Sequence, residues 1–297
     1  MKSAELSLRL GLPKGRMQEG VFQLLADAGL PVKADERGYR PVVGGTDGLA
    51  FEAKILKPQN IVEMLDAGSR DLGFAGADWV RELGADLVEL LDTDMDRVRL
   101  VAAAPESLVE RGGLSATAKL GRPLVVASEY EGIAREWISR KLPGARFVRS
   151  YGATEVFPPE DADIIIDNSA TGSTLRANGL KVVDELLESS TRLYASKAAM
   201  DDPVRKAAAE SLVLLLSSVL EARRRVMIEI NVSAANLAGL TASLPCMRSP
   251  TVSPLKGGEA FAVRVAAPRT SLPDLILEIK RLGGSDIVVT ELAQLVP

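Results

Sequence analysis

The segment from Asp163 to Leu175, DIIIDNSATGSTL, concentrates the residue types able to bind a phosphorylated ligand. A buried apolar strand ends in an acid, and a small hydroxyl-rich loop with one glycine then leads into a helix. Gly172 lets the backbone approach an anion, while Thr171, Ser173 and Thr174 offer hydroxyls beside the free amides of a helix N-terminus. Asp167, at the strand end, is placed to accept hydrogen bonds from sugar hydroxyls. A carboxylate for a ribose and a loop for its 5-phosphate is the pair of devices that phosphoribosyl pyrophosphate requires. The alternative is an ordinary capped helix after a strand.

Cations stand in two further turns. Leu12-Pro13-Lys14-Gly15-Arg16 breaks a strand before a helix, where α/β proteins bind ligands, and Lys57 precedes a helix entry at Pro58-Gln59-Asn60. Both sets are equally readable as solvated surface charge, and Asn60 as the cap of its own helix. Asp71-Leu-Gly73-Phe-Ala-Gly76 has glycines spaced for close backbone approach or for a tight turn. The chain has no histidine, which removes the commonest general base and metal ligand. Its one cysteine, Cys246, excludes an intrachain disulfide and a multi-cysteine metal site, and reads as a buried thiol. Chemistry must then rest on carboxylates, Lys and Arg, hydroxyls, amides or a metal carried in by substrate.

The elements that hold these residues alternate. Leu6, Leu8, Leu10 and Leu12 have the period of a strand, and Val21, Leu24, Leu25 and Ala28 that of a helix ending at Gly29. A β-rich stretch runs to Lys57, and Asn60 with Glu63 has capping-box spacing for a helix over 61–67. Strands are predicted at 72–74, 99–103, 124–127 and 164–166, with helices from Asp78 and over 133–141. Asp201-Asp202-Pro203 starts a long helix that ends in Arg223-Arg224-Arg225, a basic terminus that suits the helix dipole. The last 75 or so residues read as strand 226–232, helix 233–244, strands 251–255 and 261–266, helix 272–282 and strand 287–290. That βαββαβ order is ferredoxin-like, beside an α/β remainder.

With 297 residues the chain has room for two or three domains of about 100–150 residues each. Its 36 basic and 40 acidic residues give −4, with no basic stripe and 4% aromatics, so a nucleic-acid groove is not indicated. No run of about 18 apolar residues forms a membrane span, and no signal-peptide core precedes Arg9, so a soluble cytoplasmic protein is expected.

LPKGRM, LKPQNIV, DLGFAGADWV, YGATEV and DIIIDNSATGSTLRANGL occur in an order and spacing that resemble the ATP phosphoribosyltransferases. The closing SPTVSPL and GGSDIVVTEL resemble that family's long form, so the resemblance spans essentially the whole chain. It implies two periplasmic-binding-protein-like α/β domains flanking a cleft, 1–97 with 191–223 and 98–190. A third, ACT-like domain at 224–297 is implied with them. It further implies dependence on magnesium, a homo-oligomer from dimer to hexamer, and feedback inhibition by histidine. Where the family commonly has arginine, this chain has Lys57, which keeps the charge but lacks a planar bidentate fork. Asn168-Ser169-Ala170 likewise stands where the family often has apolar and acidic residues.

The family reaction joins N1 of ATP to the anomeric carbon of phosphoribosyl pyrophosphate, with inversion and release of pyrophosphate, and opens histidine biosynthesis. It implies Thr171, Gly172, Ser173 and Thr174 for the 5-phosphate and Asp167 for the ribose, with Asp163 and Glu155 as further candidates. Lys14, Arg16 and Lys57 would face pyrophosphate or the ATP phosphates, and magnesium would arrive on phosphate oxygens rather than in a protein cage. Ser249 and Thr251, in a proline-bounded loop, are candidates for histidine, or merely connect to an edge strand. A two-lobed binding protein without catalysis and a salvage phosphoribosyltransferase are the competing readings. The phosphate loop opposes the first, and LPKGRM with the C-terminal domain opposes the second.

Overall fold

The computed structural model describes residues 7–34, 38–46, 48–110, 122–245, 247 and 249–296. Cys246 lies outside them. The chain divides into two compact units, Met1–Gln23 with Leu30–Ser211, and Leu24–Gly29 with Leu212–Pro297.

The first unit begins with β1 (Ser7–Pro13), α1 (Arg16–Asp27), the short β2 (Val32–Lys33) and β3 (Val42–Val43), and β4 (Ala50–Leu56). α2 (Pro58–Asp66), β5 (Leu72–Gly76) and α3 (Ala77–Leu83) follow, then a long β6 (Val88–Pro105) and α4 (Glu106–Glu110). The next elements are β7 (Val125–Ser128), α5 (Glu131–Lys141), β8 (Arg146–Arg149), β9 (Ile164–Ser169), α6 (Ser173–Ala177) and β10 (Leu180–Ala195). α7 (Lys197–Asp201) follows, and α8 (Pro203–Arg224), like the end of α1, continues into the second unit. Eight strands share one sheet in the order β4-β1-β5-β10-β6-β9-β7-β8. The α/β class is as expected.

Apolar pattern and burial agree closely here. Leu8, Leu10 and Leu12 of β1 are all buried. On β9, Ile164 and Ile166 pack into one cluster with Trp137 and Val126, while Ile165 packs on the opposite face with Leu175 and Leu180. A continuous apolar run is what a strand covered on both faces needs. α8 starts as expected, with Asp202 Oδ1 accepting from the amides of Val204 at 2.9 Å and Arg205 at 3.1 Å.

Two readings need correction. α2 begins at Pro58 with Lys57 as its N-cap, so Asn60 sits inside the first turn and caps nothing. Proline at the first helical position presets φ and gives up an amide that has no helical acceptor, which outweighs a side-chain cap further on. The 16-residue β10 was not anticipated at all, and β6 extends well beyond 99–103. These two strands pair antiparallel through several register shifts, and each bulge breaks the alternation by which a strand is recognised.

The second unit carries its own sheet. β11 (Arg225–Ser233), α9 (Ala234–Ser243), β12 (Thr251–Pro254), β13 (Ala260–Pro268), α10 (Leu272–Arg281) and β14 (Ser285–Glu291) follow in βαββαβ order. The strands lie β12-β13-β11-β14, all antiparallel, which is the ferredoxin-like arrangement. Val226, Ile228, Ile230 and Val232 alternate inward from β11 and meet Val263, Val265, Leu240, Leu275 and Ile279. Burying each such side chain contributes about 1.5–3 kcal/mol. Thr251 opens β12, as the expected strand at 251–255 requires, so only Ser249 and Pro250 remain in the loop read there, and both Thr251 and Ser249 are exposed. Among the described residues, no helix is long and apolar enough to cross a membrane.

Candidate active site

The sheet register determines where ligands can gather. β1, β4 and β5 are mutually parallel, and β9, β7 and β8 form a second parallel set running the opposite way. The end of β5 is fixed by Gly76↔Thr191, and the end of β9 by Arg99↔Ser169. Between them β6 and β10 cross at Met95↔Thr191 and Arg99↔Glu188. The carboxyl ends of both parallel sets therefore converge on one short stretch of the two long strands. Loops and helix N-termini from both halves face each other there, as α/β ligand sites require.

A cavity of about 280 Å³ opens at this convergence. It gathers Asp167, Thr171, Gly172, Ser173 and Thr174 from one half, Glu155 beside them, and Arg16 from the other half. Gly172 is the N-cap of α6 in the left-handed region, at φ 72°. An L side chain is strained there, and a Cβ would lie 2.9 Å from Arg176 Nη1. Thr171 Oγ1 and Ser173 Oγ stand 3.0 Å apart, and the first-turn amides of α6 have no intrahelical acceptor. Glu155 is presented by the 3-10 turn Thr154–Val156, entered through Ala153 at φ 49°.

Asp167 is the unsettled charge of this cavity. Burial pushes its carboxyl up to about 6. The Asn168 amide and the Thr154 hydroxyl pull it down, while Glu129 and Glu155 raise it further. No cation among the described residues forms an ion pair with Asp167. Asp163, the other end of the same apolar run, does not enter the cavity. It is held by both Arg122 guanidinium nitrogens at 2.7 Å and by the Val125 amide at 2.8 Å. Burial would raise its pKa, but these bonds keep it below the usual carboxylate range. Asp163 is therefore held in a structural ion pair outside the cavity.

The cations divide in the same way. Arg16 lines the cavity, is exposed, and has no hydrogen-bond or ion-pair partner among the described residues. As the first residue of α1 it opposes the helix dipole, so its position costs stability rather than adding it. Lys14 and Lys57 leave the ends of the adjacent strands β1 and β4, where Lys14 N donates to Leu56 O at 2.8 Å. Neither lines the cavity in this conformation. Lys14 Nζ instead lies 3.4 Å from the Tyr39 hydroxyl and 5.1 Å from its ring centroid.

A second cavity, of about 300 Å³, adjoins the first through Ala170, which lines both. Asp92, Asp94, Ser189, Ser190 and Arg192 contribute to it. Asp94 and Asp96 both have left-handed backbones, at φ 62° and 50°, which is uncommon outside glycine and concentrates at functional sites. Burial opposes ionisation of Asp92. The Asp94 amide, the Ser190 hydroxyl and Arg192 nevertheless hold its carboxyl below the usual range. Sequence reading missed these residues. Their signal was the alternation of acids at 92, 94 and 96. Among the described residues, no group of three or more acidic or cysteine side chains clusters as a metal cage.

A family model described as HisG: ATP phosphoribosyltransferase matches residues 57–218, and one described as HisG, C-terminal domain, matches residues 222–294. The ATP phosphoribosyltransferase of Chlorobium phaeovibrioides is 34% identical over 301 residues, covering 100% of both chains. That of Pelotomaculum thermopropionicum is 34% identical over 297 residues, 98% of this chain and 100% of its own. Among solved structures, the ATP phosphoribosyl transferase (HisG:HisZ) complex from Thermotoga maritima aligns with a TM-score of 0.61 at 23% identity. It covers 72% of this chain and 98% of that one, and is similar in fold.

Proposed function

The chain belongs to the ATP phosphoribosyltransferase family, and from that premise we propose that it transfers the phosphoribosyl group of phosphoribosyl pyrophosphate to N1 of ATP, releasing pyrophosphate. This is the first step of histidine biosynthesis. The observation that carries the reading is the cavity in which a hydroxyl-lined glycine turn meets a carboxylate and an arginine that have no ion-pair partner among the described residues. Thr171, Ser173, Thr174 and the amides around Gly172 take the 5-phosphate, and Asp167 with Glu155 takes the ribose hydroxyls. Arg16 faces the departing pyrophosphate, and Lys14 and Lys57 approach the same polyanions. The adjoining cavity of Asp92, Ser189 and Arg192 takes the nucleotide, so that N1 meets the anomeric carbon near Ala170.

The bond from the anomeric carbon to pyrophosphate breaks as the bond to N1 forms, and no enzyme nucleophile is needed. Rate comes from holding two polyanions in line and from stabilising charge on the leaving group. The donor set fits magnesium as an ion carried by substrate. Asp167 and Glu155 crowd negative charge that a cation would relieve, while their number falls short of a full protein shell. Bound there with phosphate oxygens and water, the ion would neutralise part of the phosphate charge. The two catalytic domains are assigned to 1–97 with 191–223 and to 98–190, and the regulatory domain to 224–297. That last domain is the site for histidine, with Ser249 and Thr251 as contacts. A cytoplasmic homo-oligomer, dimer to hexamer, completes the reading.

Purified protein with ATP, phosphoribosyl pyrophosphate and magnesium should release pyrophosphate and yield ATP ribosylated at N1, resolved by chromatography. Consumption of a free base instead, with no product from ATP, would overturn the assignment.

A further inference from the structure

A series of hydrogen bonds, buried from Tyr130 to Ser189, runs between the two cavities, and none of the roles above uses Tyr130, Asp78 or Asn168. The Asn168 side-chain amide donates to the Tyr130 hydroxyl oxygen at 3.2 Å, and Tyr130 donates to Asp78 Oδ2 at 2.6 Å. Ser189 Oγ donates to Asp78 Oδ1 at 2.7 Å and accepts from the Asp78 amide at 3.1 Å. Asn168 lines the phosphate cavity and Ser189 lines its neighbour. Tyr130 is 1% exposed, Asp78 6% and Ser189 4%, so water does not compete for the bonds among these three.

The proton directions are determined by chemistry. An ionised carboxylate only accepts, so Tyr130 must donate to Asp78 and has its own lone pairs left for Asn168. Burial and the charge of Asp78 push the phenol upward, so it stays neutral and keeps that donor. Asn168 in turn gives its backbone amide to Asp167 Oδ1 at 2.7 Å. Gly76 is required for the close approach, since a Cβ there would lie 2.1 Å from Asp78 Oδ1.

The series also crosses the sheet. Asp78 stands in the first turn of α3, which follows β5, whereas Tyr130 immediately precedes α5 in the other half. The two helices are also clasped by contacts outside the hydrogen-bond series. Trp79 stacks on the Tyr130 ring at 4.6 Å, and Glu82 accepts from the amides of Gly132 at 2.9 Å and Ile133 at 3.0 Å.

We propose that Tyr130 is a positioning residue for the sugar phosphate: anchored on Asp78 from the opposite half, its hydroxyl fixes Asn168 and thereby the Asp167 carboxylate and the loop beyond it. The proposal rests on the assignment of that cavity to phosphoribosyl pyrophosphate. Orientation of the sugar-binding carboxylate is then set across the two halves of the sheet, and not by the loop alone.

Tyr130→Phe keeps the ring and its stack on Trp79 while removing the hydroxyl. Its Kd and KM for phosphoribosyl pyrophosphate should rise about tenfold, as for a lost hydrogen bond to a charged group, with KM for ATP within about twofold of wild type. Asn168→Ala should give the same rise, and the double variant should be no worse than either single change. Glu82→Gln, which loosens the clasp without touching the series, should lower Tm and leave affinity for phosphoribosyl pyrophosphate unchanged. Unchanged affinity in folded Tyr130→Phe, additive losses in the double variant, or an equal loss in Glu82→Gln would each overturn the proposal. If Tyr130→Phe does not fold, Asn168→Ala at its exposed position carries the test, and unchanged affinity there overturns it. A wild type that binds no phosphoribosyl pyrophosphate overturns the cavity assignment and the positioning role together.

Discussion

Asp163 and Asp167 bracket the same three isoleucines, yet the molecule treats them in opposite ways. Asp163 lies in a two-pronged ion pair with Arg122, and its carboxyl is held below the usual range despite burial. Asp167, partly buried at the other end, meets only amide and hydroxyl donors and further carboxylates, and rises to about 6. A carboxylate needed by the fold is provided with its counter-charge from within the chain. Asp167, which we propose takes the ribose, has no counter-charge among the described residues, at a cost to the ionised protein. Arg16 repeats the second pattern with opposite sign, without an ion-pair partner among the described residues at a helix N-terminus that disfavours it.

The largest effect should come from exchanging the fates of the two acids. Asp167→Asn is expected to cut turnover about a hundredfold, as when one or two charge-assisted hydrogen bonds are lost. The same change should stabilise the ligand-free protein at pH 7, because a carboxyl raised from 3.8 to about 6 disfavours the ionised fold by on the order of 1–3 kcal/mol. Asp163→Ala should do the reverse. It should lower stability by about 1–3 kcal/mol, moderated because Arg122 is half exposed, with KM for phosphoribosyl pyrophosphate unchanged. Thermal melts and initial rates on both variants check this, and parallel behaviour of the pair would erase the distinction.

Next in size is the loop. Gly172→Val must place a branched side chain at φ 72°, a strain of about 1–2 kcal/mol, and puts a methyl group where the backbone should approach phosphate. Affinity for phosphoribosyl pyrophosphate should weaken about tenfold or more, by calorimetry, in a protein whose circular dichroism is intact. Unchanged affinity would reduce the loop to a helix cap.

The two acids should also separate by titration. Asp167 has a raised pKa, so the stability associated with its protonated form is present at low pH and is lost as pH rises through about 6. For Asp163, with its lowered pKa, the stabilising pairing is present above the ordinary carboxylate value and lost only as pH falls through its lower folded value. Wild-type affinity for phosphoribosyl pyrophosphate should therefore carry an inflection near 6 that Asp167→Asn lacks and Asp163→Ala retains. Identical profiles for wild type and Asp167→Asn would remove that carboxylate from binding.

The smallest effect on catalysis is expected from Ser249→Ala with Thr251→Ala, outside the first unit. Uninhibited turnover should stay within about twofold, while the histidine inhibition curve moves to higher concentration, since altering an effector site changes coupling rather than chemistry. A curve that does not move would remove both hydroxyls from that site.

Much of this was legible in the chain itself. The alternation of Leu8, Leu10 and Leu12, the cap at Asp202 and the whole βαββαβ order after Arg225 depend on contacts between near neighbours, which periodicity and capping express directly. The glycine turn at 171–174 was legible for the same reason, since Gly172 and its neighbouring hydroxyls lie within a few residues of one another. β10 was not, because bulges interrupt its alternation, and Asn60 was misread because Pro58 had already started the helix.

Local chemistry in the sequence by itself determined the α/β and ferredoxin-like elements and the residue types able to cradle a phosphate. Only the tertiary structure decided which of two similar aspartates lines the cavity and which is held in an ion pair. Arg122 is 41 residues from Asp163, and Asp78 is 52 residues from Tyr130. The charge state of a carboxylate depends on whatever the fold brings within a few ångströms, and such pairings leave no periodic trace along the chain.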